Sequence, residues 1–112
     1  MKQREEYTCP LEITHDITRG KWKPILLWQL GKGRQSFSQL KRDIASISEK
    51  MLLQHLGELQ QYNMVGKTQF EGYPLRVEYY LTQRGEKMLQ AVEIMQQIGM
   101  EMIAEDGGQS PL

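Results

Sequence analysis

Apolar residues recur at helical spacing in the first third of the chain and predict two helices. The first begins at Pro10, a residue suited to the first helical position, with Thr8 or Cys9 as its cap, and ends near Thr18. The second carries its apolar stripe on Trp22, Ile25, Leu26 and Leu30. Because glycine readily ends helices, we expect the second helix to stop at Gly31.

Two further helical segments lie close together in the middle of the chain. Ser36 and Gln39 have the spacing of a capping box, which predicts the start of a third helix. A fourth helix starts at Ser46 or Ser48 and ends near Asn63, a residue that tolerates the left-handed backbone of a helix end. The apolar residues are Phe37, Leu40 and Ile44 in the third helix and Leu52, Leu56 and Leu59 in the fourth. Two helices joined by so short a connection predict a helix-turn-helix.

A hairpin and a long helix are predicted after the helix-turn-helix. Residues 65–70 and 76–81 have the composition of strands, and apolar and polar positions alternate in the second run. Thr82 is placed to cap a last helix that reaches about Ala104, and we expect the polar residues 105–112 to form a disordered tail. The predicted fold is therefore mainly α with a small β-hairpin.

Length and composition indicate one globular domain spanning residues 1–112. Hydrophobic residues make up 39% of the chain, and no apolar run approaches the ~20 residues that span a bilayer. The amino-terminal segment lacks the apolar region of a secretory signal. The one cysteine, Cys9, forms no internal disulfide, which is typical of a reducing compartment. We therefore expect a cytoplasmic protein with no membrane partner.

Charge is distributed unevenly, although the formal net charge is zero. Residues 19–50 carry eight Lys or Arg side chains against Asp43 and Glu49, whereas residues 86–112 have a net charge of −4. A basic middle segment can present one face to a polyanion such as DNA. The alternative is that these charges lie on ordinary solvated helix faces.

The fourth helix offers side chains suited to base recognition. With its leucines facing the core, the positions predicted to face outward are Lys50, Gln54, Gly57 and Glu58, flanked by Met51 and Leu53. Lysine reaches phosphates or guanine, glutamine pairs with adenine, and an aliphatic group touches the thymine methyl. Gly57 costs roughly 1 kcal/mol against alanine in a helix. A close backbone approach would explain this glycine, and a neutral substitution is the alternative.

The predicted hairpin holds out an arginine beside a wide bend. Residues 72–74 (Gly-Tyr-Pro) differ from the two-residue turns that close tight hairpins. Arg76 follows the bend, and arginine suits a narrow, electronegative minor groove. A helix-turn-helix followed by such a hairpin predicts a winged helix, with Arg76 contacting a groove or a phosphate. The alternative is a surface ion pair of Arg76 with Glu71 or Glu78, which would contribute little.

Three stretches together carry a family pattern: "CPLEITHDITRGKWKPILLWQL", "FSQLKRDIASISEKMLLQHLGELQQYNMV" and "YPLRVEYYLTQRG". Their order and spacing, from Cys9 to about Ala104, resemble the HxlR-type winged helix-turn-helix regulators of bacteria. The resemblance implies a fold related to the MarR regulators, with helical dimerisation elements at both ends. It also implies a homodimeric transcription factor that binds an inverted-repeat operator in double-stranded DNA. We expect a repressor, and an activator is the alternative that the sequence leaves open.

The family pattern places the fourth helix in the major groove and the wing against the backbone or minor groove. The predicted DNA-binding residues are Ser36, Ser48, Lys50, Met51, Leu53, Gln54, His55, Tyr73 and Arg76. His55 is also interpreted as a structural residue, with phosphate contact as its alternative role. The chain departs from the pattern at Arg19, where a small residue is common, and at Glu49, which would repel a nearby phosphate.

The sequence shows no constellation typical of catalysis. His15 and His55 are isolated from clusters with metal-ligand spacing, and no nucleophile–base pair or phosphate-binding glycine loop is recognised. We therefore expect no enzyme, no cofactor and no metal. The rival interpretation is a winged helix that binds proteins without specific DNA recognition. Steep salt dependence would distinguish DNA binding from a mainly apolar protein contact.

The last helix is apolar over a face wider than one small domain needs. Ten of the sixteen residues 88–103 are apolar. Within this stretch, the 4-3-4-3 spacing of a helix-packing seam is followed by Met88, Val92, Met95, Gly99 and Met102. This seam predicts a homodimer interface, and a wide core face in a monomer is the alternative.

Cys9 lies at or beside the amino terminus of the first helix, where backbone dipoles favour a thiolate. Glu5, Glu6 and Glu12 oppose that effect. Several HxlR-type regulators use the cysteine of this Cys-Pro pair as a redox switch, so the resemblance implies a sensor of oxidants or electrophiles. An inert thiol is the alternative, and a small-molecule effector is left open.

Overall fold

The computed structural model describes residues 6–107, which form five α-helices and a three-stranded antiparallel sheet. The elements are α1 Pro10–Thr18, α2 Trp22–Leu30, β1 Gln35–Ser36, α3 Phe37–Asp43, α4 Glu49–Gln61, β2 Val65–Phe70, β3 Arg76–Leu81 and α5 Gln83–Glu105. The predicted mainly α, winged fold is confirmed. α5 extends through Glu105, the first residue of the predicted tail, and residues 108–112 of that tail lie outside the described residues. Within residues 6–107, no helix combines the length and the apolar character needed to cross a membrane.

Side-chain caps explain where the two helices of the helix-turn-helix begin. At α3, the Ser36 hydroxyl accepts a hydrogen bond from the Gln39 backbone N–H at 3.2 Å. The Gln39 side chain accepts one from the Ser36 N–H at 2.8 Å, which completes the predicted capping box. Ser48, rather than Ser46, caps α4 by accepting a hydrogen bond from the Met51 N–H at 3.1 Å.

The first and last helices begin differently. At α5, the Thr82 hydroxyl accepts a hydrogen bond from the Gly85 N–H at 3.0 Å, as predicted. At α1, Cys9 occupies the cap position without a side-chain cap bond, and the Thr8 hydroxyl donates to the Glu12 carboxylate. The start of α1 therefore depends on the proline at its first position rather than on a capping side chain.

The sheet has the order β1–β3–β2, so β3 pairs with a neighbour on each side. α4 ends at Gln61, and Asn63 just after it has the predicted left-handed backbone, with a φ of 58°. β2 then starts the hairpin. The hairpin register runs from Val65 opposite Leu81 to Phe70 opposite Arg76. β1 was not predicted, because a strand of two residues shows no alternation to read.

The core forms where α2 packs against α1, α4 and α5. Its most deeply buried side chains are Leu26, Leu27, Leu40, Ile47, Leu52, Leu56 and Leu59. The leucine stripe predicted for α4 therefore faces inward, toward α2 and the rest of the core. The opposite side of α4 is left on the protein surface, next to the wing in chain order.

Candidate nucleic-acid interface

The amino-terminal half of α4 presents an exposed face of mixed chemistry. Lys50, Leu53 and Gln54 are exposed, and Leu53 keeps 56% of its surface accessible to solvent. Met51 is half-buried and packs against the core at the edge of this face. A charged donor, an amide and an aliphatic group on one helix face can contact a phosphate or guanine, an adenine edge and a thymine methyl.

The two serine caps place hydroxyl groups at the starts of α3 and α4. Each hydroxyl oxygen accepts its cap hydrogen bond from the backbone, at Ser36 from Gln39 and at Ser48 from Met51. A hydroxyl group also carries one O–H donor, which these caps leave unused. Both predicted serines can therefore donate to a phosphate without giving up the cap.

Glu58 does not face outward, so this prediction is wrong. Its side chain is 8% exposed, and its Oε1 lies 3.0 Å from the Nζ of Lys23 in α2. Burial raises the pKa of the Glu58 carboxyl, but the hydrogen bond and charge of Lys23, with His55, outweigh burial and hold the pKa below its usual value. The prediction failed because α2 covers a wider arc of α4 than the leucine stripe marks. Lys23 is also removed from the basic surface.

His55 lies at the border between the two faces of α4, whereas Gly57 lies on the open, outward side. The Nδ1 of His55 lies 3.2 Å from the Oε1 of Glu58, and the ring is partly buried. This contact favours the structural interpretation of His55. A Cβ added at Gly57 would find no atom of a neighbouring segment within 4 Å. The close backbone approach is therefore wrong, and the neutral alternative remains.

The wing exposes its tip and holds its arginine by stacking. Tyr73 is fully exposed. The Arg76 guanidinium carbon lies 4.1 Å from the centre of the Phe70 ring, which stands opposite it in the hairpin register. In the described residues Arg76 makes no ion pair with Glu71 or Glu78, so that alternative is wrong. Stacking restrains the guanidinium group while its in-plane N–H donors can still reach a phosphate or a groove.

A second stacked arginine was missed from the sequence. Arg34 lies 4.4 Å from the centre of the Tyr80 ring and donates a 3.0 Å hydrogen bond to the Thr68 hydroxyl. Tyr80 lies against Gly66, where a Cβ would stand 2.5 Å from the ring. Because strand residues alternate, Tyr80 and Arg76 share one face of β3. Strand register could have revealed this stacked arginine, because it pairs Gly66 with Tyr80. The periodicity of a single strand does not give the register.

The carboxyl-terminal half of α5 carries the exposed apolar surface expected of an interface. Met95 and Met102 are about half exposed, and nothing lies within 4 Å of a Cβ added at Gly99. Val92 is 5% exposed and belongs to the core, so it adds little to this exposed surface, and its assignment to the interface stays a prediction. Met88 is partly buried against the same core. The seam turns inward at its amino-terminal end because α2 packs there against α5.

An apolar groove of about 300 Å³ continues this surface onto α2. Its α2 wall consists of Pro24, Ile25 and Trp28, and its α5 wall includes Met95 and Met100. The sequence did not predict the groove, because Ile25 and Trp28 fit the pattern of core residues equally well. The apolar face thus spans two helices rather than one.

Cys9 is an exposed free thiol at the cap position of α1. Glu12 lies in the first turn of the same helix, where its carboxylate accepts hydrogen bonds from the backbone N–H and the hydroxyl of Thr8. Of the three predicted acidic neighbours, Glu5 lies outside the described residues. Exposure makes the thiol accessible to a reagent, which a buried thiol would not be.

Comparison with known proteins identifies the family. The sequence profile of the HxlR-like helix-turn-helix family matches residues 17–107. The chain belongs to the HxlR family. A protein of Fusobacterium mortiferum described as the regulatory protein MalR is 35% identical over 102 residues, which cover 90% of this chain and 96% of MalR. The family resemblance of the three sequence stretches is therefore confirmed.

Solved structures with the same fold support the assignment to transcriptional regulators. The redox regulator HypR in its reduced form matches with a TM-score of 0.80 and 33% identity, covering 83% of this chain and 92% of HypR. A protein of Porphyromonas gingivalis W83, described as a MarR-family regulator, matches with a TM-score of 0.81 and 35% identity over 89% of this chain and 98% of its own. This HxlR protein is a transcriptional regulator with a MarR-like winged fold.

Proposed function

We propose that this HxlR regulator binds a specific operator in double-stranded DNA, with α4 in the major groove. The observation that carries the proposal is the exposed group of Lys50, Leu53 and Gln54 directly after the Ser48 cap. Helix-turn-helix proteins contact base edges with the amino-terminal residues of their second helix. Lys50 then contacts guanine or a phosphate, and Gln54 contacts adenine.

The wing adds contacts outside the major groove. Arg76, restrained on Phe70, enters the minor groove or binds a phosphate, and the exposed Tyr73 contacts the backbone beside it. Ser36 and Ser48 donate their hydroxyls to phosphates, and Met51 and His55 flank the reading face. Most of these groups position the protein, while the base contacts specify the sequence.

Two copies joined through α5 would place two reading helices on one face of the duplex. The support is the exposed apolar surface on α5 and the groove beside it. Reading helices of a two-fold dimer are separated by about 34 Å, one turn of DNA, so the operator is an inverted repeat. We propose that the operator overlaps a promoter, so that the bound dimer blocks RNA polymerase and acts as a repressor. Expression of the adjacent gene should then rise when this protein is removed, whereas a fall in expression would identify an activator.

Selection from a random-sequence DNA library by the purified protein tests DNA reading. We expect an inverted repeat to emerge and its affinity to fall steeply with salt. Lys50→Ala and Gln54→Ala should each cost ~1–3 kcal/mol and relax the preference at one position of each half-site. Arg76→Ala should reduce the salt slope by about 1 for each phosphate that the arginine neutralises. Lys87→Ala, on the exposed surface of α5, serves as the control.

The contrary result is equally clear. A protein that selects no sequence, or whose partner binds with little salt dependence, is a protein-interaction module instead. If the variants fold normally and bind the selected DNA as tightly as wild type, the DNA contacts lie elsewhere on the protein surface.

We also propose that Cys9 makes DNA binding responsive to oxidants or electrophiles. The supporting observations are its exposure and the likeness to HypR, described as a redox regulator in both reduced and oxidised forms. With one cysteine per chain, the product is a disulfide between subunits, a mixed disulfide with a small thiol, or an alkylated thiol. Each could shift the spacing of the two reading helices.

Wild type and Cys9→Ser are treated with diamide, which oxidises two thiols to a disulfide, once alone and once with added glutathione, and are then titrated with the selected DNA. We expect the affinity of wild type to change and that of Cys9→Ser to stay constant. Mass spectrometry of the treated protein distinguishes a subunit disulfide from a small-thiol adduct. An equal response of both proteins would leave Cys9 without a sensing role.

A further inference from the structure

A buried ion pair joins the proposed reading helix α4 to α2. The Nζ of Lys23 lies 3.0 Å from the Oε1 of Glu58, and the two side chains are only 4% and 8% exposed. The Nδ1 of His55 lies 3.2 Å from the same carboxylate oxygen. Neither Lys23 nor Glu58 is on the DNA-reading face, and neither belongs to the exposed apolar surface of α5.

Such a pair is a weak source of stability. Removing two charges from water costs several kcal/mol per ion, and their attraction roughly offsets this cost. Replacement of a buried ion pair by apolar residues of similar volume is often neutral or stabilising. The pair therefore has to be explained by something other than a net gain in the free energy of folding.

Geometry supplies that explanation. The remaining inner surface of α4 consists of Leu52, Leu56 and Leu59, and leucine contacts are non-directional, so they tolerate small rotations of the helix. An ion pair at hydrogen-bond distance does not tolerate them, because a rotation would leave two unpaired charges in the core. Glu58 lies one helical turn after Gln54, so an interaction that fixes the position of Glu58 also fixes the direction in which Gln54 extends from the helix.

The sensitivity of base reading to rotation is large. Side chains end about 5–6 Å from the axis of a helix, so a rotation of about 10° moves their tips by about 1 Å. A shift of that size takes a hydrogen bond to a base edge out of its allowed range of distances. Contacts to phosphates by flexible lysine side chains are much less affected.

We propose that Lys23 is a positioning residue, which sets the rotation of α4 through Glu58 and thereby sets the sequence preference of DNA binding. This inference rests on the proposed function, since it requires α4 to read DNA. Lys23 belongs to the basic segment 19–50, but in this proposal it affects sequence specificity without contacting DNA itself. Glu58 acts through the same pair, and His55 restrains the carboxylate from a second direction.

The test uses the full-length chain and the double variant Lys23→Met with Glu58→Leu, which leaves the net charge unchanged. We expect the double variant to unfold at the same or a higher urea concentration than wild type. We expect its affinity for the duplex selected by wild type to fall by about tenfold or more, with little change for a scrambled duplex of the same length. The matched control is Lys87→Met with Glu86→Gln, an exposed pair on α5.

The deciding quantity is the ratio of the affinity for the selected duplex to the affinity for the scrambled duplex, because a purely structural role of the ion pair would not change this ratio. A folded double variant with the wild-type ratio overturns the inference. If the double variant fails to fold, Glu58→Asp replaces it, since a carboxylate one methylene shorter keeps the charge and displaces α4. A wild-type ratio in that variant also overturns the inference. A wild-type protein that selects no sequence overturns the proposed function and this inference with it.

Discussion

Burial separates side chains of the same type into different roles in this regulator. Lys23 and Lys50 both belong to the basic segment 19–50, but Lys23 is buried against Glu58 while Lys50 is exposed on α4. The two arginines of the wing region, Arg34 and Arg76, are each stacked on an aromatic ring. A charge count along the chain therefore overstates the surface available to DNA and gives no information on which cations are restrained.

The buried pair also predicts how stability depends on pH. Because the pKa of Glu58 in the folded protein is below its ordinary value of 4.5, the charged form favours the folded state. This contribution is present above about pH 4.5 and is lost as the pH falls through the pKa of the folded state. We expect wild type to be more stable than Glu58→Gln near neutral pH, and the difference to shrink as the solution is acidified.

Urea unfolding of both proteins at a series of pH values measures this difference. A matched exposed acid, Glu86→Gln, corrects for the titration of the other carboxylates. A difference between wild type and Glu58→Gln that stays constant down to about pH 3 would contradict the effect of Lys23 on the carboxyl.

At the scale of elements, two glycines of helices α4 and α5 have opposite surroundings. Gly85, in the first turn of α5, is buried, and a Cβ there would stand 2.0 Å from the carbonyl oxygen of Met64. Gly57 in α4 has open space at the same point. The first glycine allows α5 to approach the chain just before β2, whereas the second only lowers the helix propensity of α4.

We therefore expect the two alanine substitutions to have opposite effects. Gly57→Ala should raise the free energy of unfolding by up to ~1 kcal/mol, because alanine favours the helix. Gly85→Ala should lower it by ~1–3 kcal/mol, because the backbone of Met64 has to move. Urea or thermal unfolding of both variants checks this, and a stabilised Gly85→Ala would show that α5 does not pack as closely as the structure indicates.

At the scale of the whole molecule, the described chain is elongated, with extents of 51 × 38 × 24 Å. The apolar side chains with substantial exposure on α5 are Ile94, Met95, Ile98, Met100, Met102 and Ile103. Exposed apolar side chains in this number on one helix are typical of an interaction site, which supports the proposed dimer. A second copy is the partner most consistent with the proposed inverted-repeat operator.

The prediction at this scale is that Met95→Glu with Met102→Glu gives a monomer. Two buried charges at the interface would repel their copies, and operator affinity should fall because each monomer holds only one half-site. Light scattering at micromolar concentration and titration with the selected DNA measure the two effects. Gln90→Glu with Gln97→Glu adds the same charge on the opposite side of α5 and should remain a dimer. A dimeric Met95→Glu, Met102→Glu variant would place the interface elsewhere.

Local chemistry along the chain was sufficient to predict the helices, the caps of α3 and α5, and the hairpin, whereas it left the cap of α4 open between two serines. Helix ends depend on residues close together in the chain, so local sequence alone predicts them. Examples are the capping box of Ser36 and Gln39, the cap at Thr82 and the left-handed Asn63. The leucine stripe of α4 is likewise a local pattern, and it correctly gave the inner face of the helix. Family motifs, which combine such patterns in order, then predicted the regulator fold.

Only the tertiary structure decided which residues at the edges of a helical face are buried by the neighbouring elements. Glu58 and Val92 lie at the edges of their helical faces, and whether such an edge is exposed depends on how far α2 extends over it. The stacking of Arg76 on Phe70 and of Arg34 on Tyr80 depends on strand register and on contacts between residues distant in the chain. These contacts join segments that are distant in the chain, so the periodicity of a single segment cannot predict them.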